Sequence, residues 1–231
     1  MIIEKTGNIF TTKAQTIVNT VNCIGVMGAG IAYEFRLRYP DMYKKYQKYC
    51  YEKKIHVGTL WIYKSKDKNV LNFPTKHDWK YPSKEDYLKL GLQKFVDTYK
   101  QRGITSIAFP LLGADRGGID KNRSLSIMKS YLNKCDVDVE IWHFDPTAQD
   151  DLYDDFKNKF KNLNEETIKK ESSLNMGMIK KLQTALLRDD INSLSGLLRV
   201  KGIGEVTLEK AFKYVLEEQK EPINLFNFQD N

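Results

Sequence analysis

The sequence predicts an α/β fold of three layers, with a sheet between helices, followed by a small all-α domain. Three observations carry this expectation. Short apolar, β-branched runs alternate with longer amphipathic ones through the first two thirds of the chain. Two of the short runs open into glycine-rich loops that lead into helices. Beyond residue 162 the strand-like runs stop and only short helical periodicities remain.

Taken in order, residues 2–4 and 16–22 read as strands, the second because Ile17, Val18 and Val21 are β-branched and apolar. Residues 29–37 and 41–52 read as helices, the first with apolar side chains between Ile31 and Leu37 on one face. Residues 59–63 and 70–73 read as strands. A long helix over 83–102 follows, with Ser83 as N-cap and Asp86 completing a capping box. Residues 105–109 form a strand that ends at Pro110, residues 122–132 a helix, residues 137–143 a strand and residues 148–161 a charge-rich helix. The first domain is therefore expected over 1–162. A polar, charged stretch over 163–173 reads as a linker, and a helical domain is expected over 174–231, with short helices at 178–187 and 191–198.

Composition agrees. A chain of 231 residues with 41% hydrophobic content can bury one α/β core and a small appendage. No apolar run approaches the about 18 residues of a membrane span, so no membrane partner is expected. Met1-Ile2-Ile3-Glu4-Lys5 reads as the start of a strand rather than as a signal peptide. Cys23, Cys50 and Cys135 are odd in number and widely spaced, a pattern of neither disulfides nor a zinc site, which fits a reducing cytoplasm. The net charge of +7 is uneven: residues 1–164 carry +8 and residues 165–231 carry −1. Basic character on the first domain is consistent with an anionic substrate such as nucleic acid, and equally with a lysine-rich surface.

The first loop reads Asn19-Thr20-Val21-Asn22-Cys23-Ile24-Gly25-Val26-Met27-Gly28-Ala29-Gly30-Ile31. Its order, G-x-x-G-x-G, is not the G-x-G-x-x-G of a dinucleotide fold, and no Walker A run exists. The second runs from Pro110 through Leu112-Gly113-Ala114-Asp115-Arg116-Gly117-Gly118. Each is a structural turn or a phosphate cradle at a helix N-terminus; two at the same sheet edge can clamp one extended ligand with two phosphates.

With Gly7-Asn8-Ile9, the Val18 to Asn22 strand, Gly25 to Gly30 and Pro110 to Gly118 in view, residues 1 to about 150 resemble a macrodomain, the ADP-ribose-binding fold. Asn22-Cys23-Ile24-Gly25-Val26-Met27-Gly28 and Asn72-Phe73-Pro74-Thr75-Lys76-His77-Asp78-Trp79 resemble the DarG branch, antitoxins that remove ADP-ribose from DNA bases. The resemblance implies a sheet of mixed direction and an ADP-ribosyl glycohydrolase with no cofactor, ADP-ribose being its product ligand. It also implies ADP-ribosylated DNA, single-stranded, as substrate, and a cognate DarT-type transferase toxin as partner. It places ADP-ribose against Asn8, Ile9, Asn19, Gly25, Val26, Met27, Gly28, Gly30, Ile31, Pro110, Leu112, Gly113, Ala114, Asp115, Arg116, Gly117 and Gly118, and the chemistry on Lys76 with Asn22 at the distal ribose.

The residues themselves leave the roles open. Lys76 can attack the anomeric C1″ as a neutral amine, stay charged and bind the leaving base or a phosphate, or be one more surface lysine. His77 can donate a proton, but neighbours in an extended segment point apart. Trp79 and Tyr81 either stack a base or pack beneath a loop. Asn8 stands where many macrodomains have an aspartate for the adenine amino group, and its amide accepts without charge. Asp115 is either an acid/base near C1″ or a carboxylate repelled by the diphosphate. Val200-Lys201-Gly202-Ile203-Gly204-Glu205 resembles a helix-hairpin-helix, in which Lys201, Gly202 and Gly204 either meet a DNA phosphate or form a packing turn. No metal is required. A non-catalytic ADP-ribose reader, and a hydrolase of protein-linked ADP-ribose or O-acetyl-ADP-ribose, stand as alternatives.

Overall fold

The computed structural model of the chain describes residues 1–217. They form two compact units, Met1–Asp150 and a second that begins at Asp151. The first is built on a six-stranded sheet. Its strands are β1 (Ile2–Gly7), β2 (Thr16–Val21), β3 (Trp61–Lys64), β4 (Asn69–Pro74), β5 (Ser106–Pro110) and β6 (Asp138–Phe144), in the order β1-β6-β5-β2-β4-β3. All neighbours are parallel except β3, which runs antiparallel to β4 at one edge, so the mixed sheet expected is observed.

Side chains alternate between two cores, as the period of two of a strand requires. Val18, Leu71, Phe73, Ile107, Phe109, Val139 and Ile141 face one side and pack with α3 (Glu85–Thr98) and α4 (Lys121–Leu132). Ile17, Val21, Val70, Ala108 and Trp142 face the other and pack with α1 (Gly30–Arg38) and α2 (Pro40–Tyr51). Because five strands are parallel, their C-terminal ends share one edge. Gly7, the loop after Val21, the loop after Pro74 and the loop after Pro110 therefore open along the same rim, where open α/β folds take ligands.

Local signals lose to tertiary contacts in two places. Ser83 does not cap α3: the N-cap is Lys84, without a side-chain bond. Ser83 instead donates its backbone N–H to the Gly117 carbonyl at 2.9 Å, and its hydroxyl is buried against the second glycine loop. The helix also ends earlier than expected, at Thr98, because the chain reverses at Gly103, whose φ is +67°.

The second unit holds α5 (Tyr153–Asn162), α6 (Glu165–Ser172), α7 (Met176–Ala185) and α8 (Glu205–Glu217). Its limits correct the expected organisation. The last helix assigned to the first domain, now α5, groups with this unit because Phe160 meets Tyr214 of α8 edge-on at 6.1 Å between ring centroids. The expected linker is largely α6, which Asn164 caps by accepting from the Thr167 N–H at 2.9 Å and which Ile168 anchors with a fully buried side chain. Residues 191–198 form no α-helix; a 3-10 segment, Ser195–Arg199, stands there. Residues 218–231 of the expected helical domain lie outside the described residues. Among the described residues no helix is long and apolar enough to cross a membrane.

Candidate active site

Loop 1 leaves β2 at Val21 and is shaped by Asn22. Its side-chain oxygen accepts from the N–H groups of Ile24 at 3.1 Å and Val26 at 3.3 Å, while its amide nitrogen donates to the Val26 carbonyl at 2.6 Å. Tyr46 of α2, fully buried, donates its hydroxyl to the Asn22 carbonyl at 2.6 Å. Burial holds that phenol far above its ordinary pKa, so it serves as a donor. Gly25 turns the loop at φ +85°, a conformation that favours glycine, and Gly28, Ala29 and Gly30 lie exposed at the start of α1. The first N–H groups of α1 thus face the rim with no side-chain cap, and Ile31 follows half-buried.

Asn19 lies deeper than expected. It is fully buried in the central strand, where its amide nitrogen donates to the side-chain oxygen of Asn72 at 2.9 Å and lies 3.8 Å from the Met27 sulfur. The pair supports loop 1 from below; Asn19 has no surface to offer a ligand. Asn8 accepts the Phe10 N–H at 3.1 Å, capping a short 3-10 turn in which Ile9 is buried.

Loop 2 follows Pro110. Leu112, Gly113 and Ala114 are buried. A Cβ on Gly113 (φ +66°) would stand 2.9 Å from Ile119 Cδ1 and 3.0 Å from Leu88 Cδ1, so a larger residue is excluded there twice over. Asp115 and Arg116 are exposed, and Asp115 pairs with Lys121 at 3.2 Å. Gly117 packs on Ser83, and Gly118 is exposed.

The segment after β4 joins the two loops. The Thr75 N–H donates to the Val21 carbonyl at 2.9 Å and the Cys23 N–H to the His77 carbonyl at 3.0 Å, so the parallel ladder continues past the end of the strands. Lys76, half-buried, donates from Nζ to the Arg116 carbonyl at 2.6 Å. Arg116 in turn lies beside Gly30, where a Cβ would be 3.7 Å from Arg116 Cγ. Lys76, loop 1 and loop 2 therefore converge at one place. Burial lowers the Lys76 pKa. It also pushes the Cys23 thiol up to about 11, with Cys50 adding to the shift, so Cys23 stays protonated and donates to the Lys76 carbonyl at 3.3 Å.

His77 is exposed and lines a cavity that Lys76 does not line. Trp79 and Tyr81 are 52% and 66% exposed on the following turn, available for stacking. In the second unit Gly202 turns at φ +91°, Lys201, Gly202 and Gly204 are exposed, and Lys181 donates to the Gly202 carbonyl at 3.2 Å. Sequence reasoning missed Tyr46, Asn72 as a partner of Asn19, and Ser83 as the support of loop 2. Asn72 alone carried a signal, its place in the motif that ends at Lys76.

Comparison with known proteins bears on the family and the fold. The family model of the Macro domain matches residues 18–128. A curated relative, the DNA ADP-ribosyl glycohydrolase of Mycobacterium tuberculosis, is 35% identical over 147 residues, which cover 62% of this chain and 42% of that protein. The chain thus spans less than half the length of this relative. Among solved structures, the macrodomain of Mycobacterium tuberculosis DarG is 36% identical with a TM-score of 0.59, over 62% of this chain and 97% of that one. Thermosipho africanus DarTG in complex with ADP-ribose is 32% identical with a TM-score of 0.57, over 60% of this chain and 40% of that one.

Proposed function

The chain belongs to the macrodomain family, and from that premise we propose that it removes ADP-ribose from ADP-ribosylated DNA bases, with Lys76 acting at C1″. The observation that carries this reading is the Lys76 amine at 2.6 Å from the Arg116 carbonyl, where both glycine loops meet. The diphosphate lies along the exposed amides of loop 1 and the start of α1, and the distal ribose beneath loop 2, which brings C1″ to Lys76. The neutral amine attacks C1″: an Nζ–C1″ bond forms, the C1″–N bond to the base breaks, and the base leaves with that electron pair and takes up the proton that the alkylated Nζ releases. Water then adds its oxygen to C1″, Nζ departs with its electron pair and takes a proton from that water, and ADP-ribose is free.

Asn22 acts in this reading as a positioning residue for loop 1, since its amide is bonded within the loop. Asn22→Ala is expected to weaken ADP-ribose binding about tenfold or more, as several hydrogen bonds of about 1 kcal/mol each are lost together. Titration calorimetry checks this, and Tyr46→Phe is expected to give a smaller effect of the same sign.

A companion transferase that modifies DNA supplies the substrate. The charge of +8 on residues 1–164 supports a nucleic-acid substrate, and the exposed Lys201, Gly202 and Gly204 of the turn support a contact to DNA phosphate. The deciding experiment compares ADP-ribose release from thymine- or guanine-modified single-stranded DNA with release from modified protein. Turnover of either DNA, absent or far slower on protein, is expected. Binding of ADP-ribose without turnover of any substrate would make the protein a reader.

A further inference from the structure

Behind the segment that carries Lys76 lies a cavity of about 600 Å³, bounded by Cys23 and Gly25 of loop 1, the end of α2 with Gln47 and Tyr51, then Lys53, His56 and His77. The function proposed above does not use it. Its volume is that of a small-ligand site. No carboxylate lines it, while one lysine and two histidines do. Tyr51 is 90% exposed at its edge, so its ring is open to a stacking partner. Among the described residues, no protein group hydrogen-bonds the His77 imidazole, the Lys53 amine or the Tyr51 hydroxyl.

We infer that this cavity receives the nucleotide next to the modified one in the substrate strand, its base against Tyr51 and its phosphate near Lys53 and His56. The inference rests on the DNA-hydrolase reading and extends it to the strand. Geometry favours it over an unrelated ligand. Lys76 and His77 are consecutive where the chain has left β4 and bends at His77 and Asp78. Lys76 reaches the meeting point of the glycine loops, and His77 reaches the cavity. The wall between them is a single stretch of chain, fixed by the bond from the Cys23 N–H to the His77 carbonyl at 3.0 Å. A base held at C1″ by its ADP-ribose and a neighbour one step along the strand fall on the two sides of that wall. Stacking on an exposed aromatic ring with a cation beside the phosphate is how single strands are held without sequence preference.

The test uses Tyr51→Ala, Lys53→Ala and the double variant, with two substrates: a thymine-modified oligonucleotide and ADP-ribosyl-thymidine. The double variant is expected to raise KM for the oligonucleotide about tenfold or more, with kcat kept, and to leave both constants for the nucleoside unchanged. Equal loss on both substrates would overturn the inference, since the cavity would then hold the modified base or shape loop 1. No change on either would also overturn it. Should the wild type turn over neither substrate, the function proposed above has failed. Fluorescence anisotropy of an unmodified single-stranded oligonucleotide then decides separately: affinity lost in the double variant upholds the cavity as a strand site, and equal affinity refutes it.

Discussion

Lys76→Ala is expected to lower ADP-ribose release by on the order of 10³-fold, the scale of losing one catalytic group, while ADP-ribose affinity changes by less than about threefold. The separation follows from the geometry. Lys76 reaches the place where loops 1 and 2 meet, but the donors offered to a diphosphate are backbone amides of loop 1 and α1. Single-turnover release and calorimetry on the same preparations check both halves. Lys76→Arg distinguishes the two roles an amine can take. Arginine keeps the charge and most of the reach but is never a neutral nucleophile. Activity close to that of Lys76→Ala establishes attack on C1″; activity near wild type establishes charge stabilisation. The pH profile gives the same answer independently. Burial lowers the Lys76 pKa, so the neutral amine becomes populated at a lower pH than for an ordinary lysine. The rate of a nucleophilic amine rises with pH through that lowered pKa and then levels. The rate of a cationic stabiliser falls over the same interval.

The sequence disclosed the fold where its signals were local. Each strand of the sheet, the turn of both glycine loops and the start of α1 followed from period, β-branching and glycine placement within a dozen residues. What depended on distant pairing stayed hidden. Asn19 and Asn72 are 53 positions apart and become partners through the register of β2 with β4, which turns an expected ligand contact into a support beneath loop 1. The anchor on the Asn22 main-chain carbonyl was hidden for the same reason, because Tyr46, which donates to it, comes from a helix whose role the sequence does not mark. Ser83 shows a local rule being overridden: a good cap residue is drawn to the Gly117 backbone instead. Residues 163–173 show the reverse. Their polar composition suggested a linker, yet the caps at Asn164 and Asn175 were plain local signals, and one buried isoleucine, Ile168, was enough to hold a helix.

Gly91→Ala is expected to destabilise the sheet unit by about 2–3 kcal/mol, against the direction helix propensity gives. In the interior of a helix the exchange gains up to about 1 kcal/mol, because glycine is the poorer helix former. At this position that gain is overwhelmed. A Cβ on Gly91 would stand 2.2 Å from Phe73 Cζ and 2.5 Å from Cε1, and the ring belongs to a fully buried side chain. Neither partner has room to yield: Gly91 lies on the buried face of α3 and Phe73 in β4, with Leu88, Leu92 and Phe95 in the same core. Thermal unfolding followed by near-ultraviolet circular dichroism should show the transition of this unit lowered by roughly 5–10 °C. Gly91→Ala combined with Phe73→Leu should recover part of the loss, a coupling that a simple helix effect would not produce. The consequence reaches the site. Phe73 is followed by Pro74, Thr75 and Lys76, and the Thr75 N–H is bonded to Val21. A ring forced from its place shifts the strand end that aims the amine, so the folded fraction of Gly91→Ala should release ADP-ribose more slowly than wild type at equal ligand saturation. If kcat per folded molecule equals that of wild type, the close packing of α3 on β4 serves stability alone.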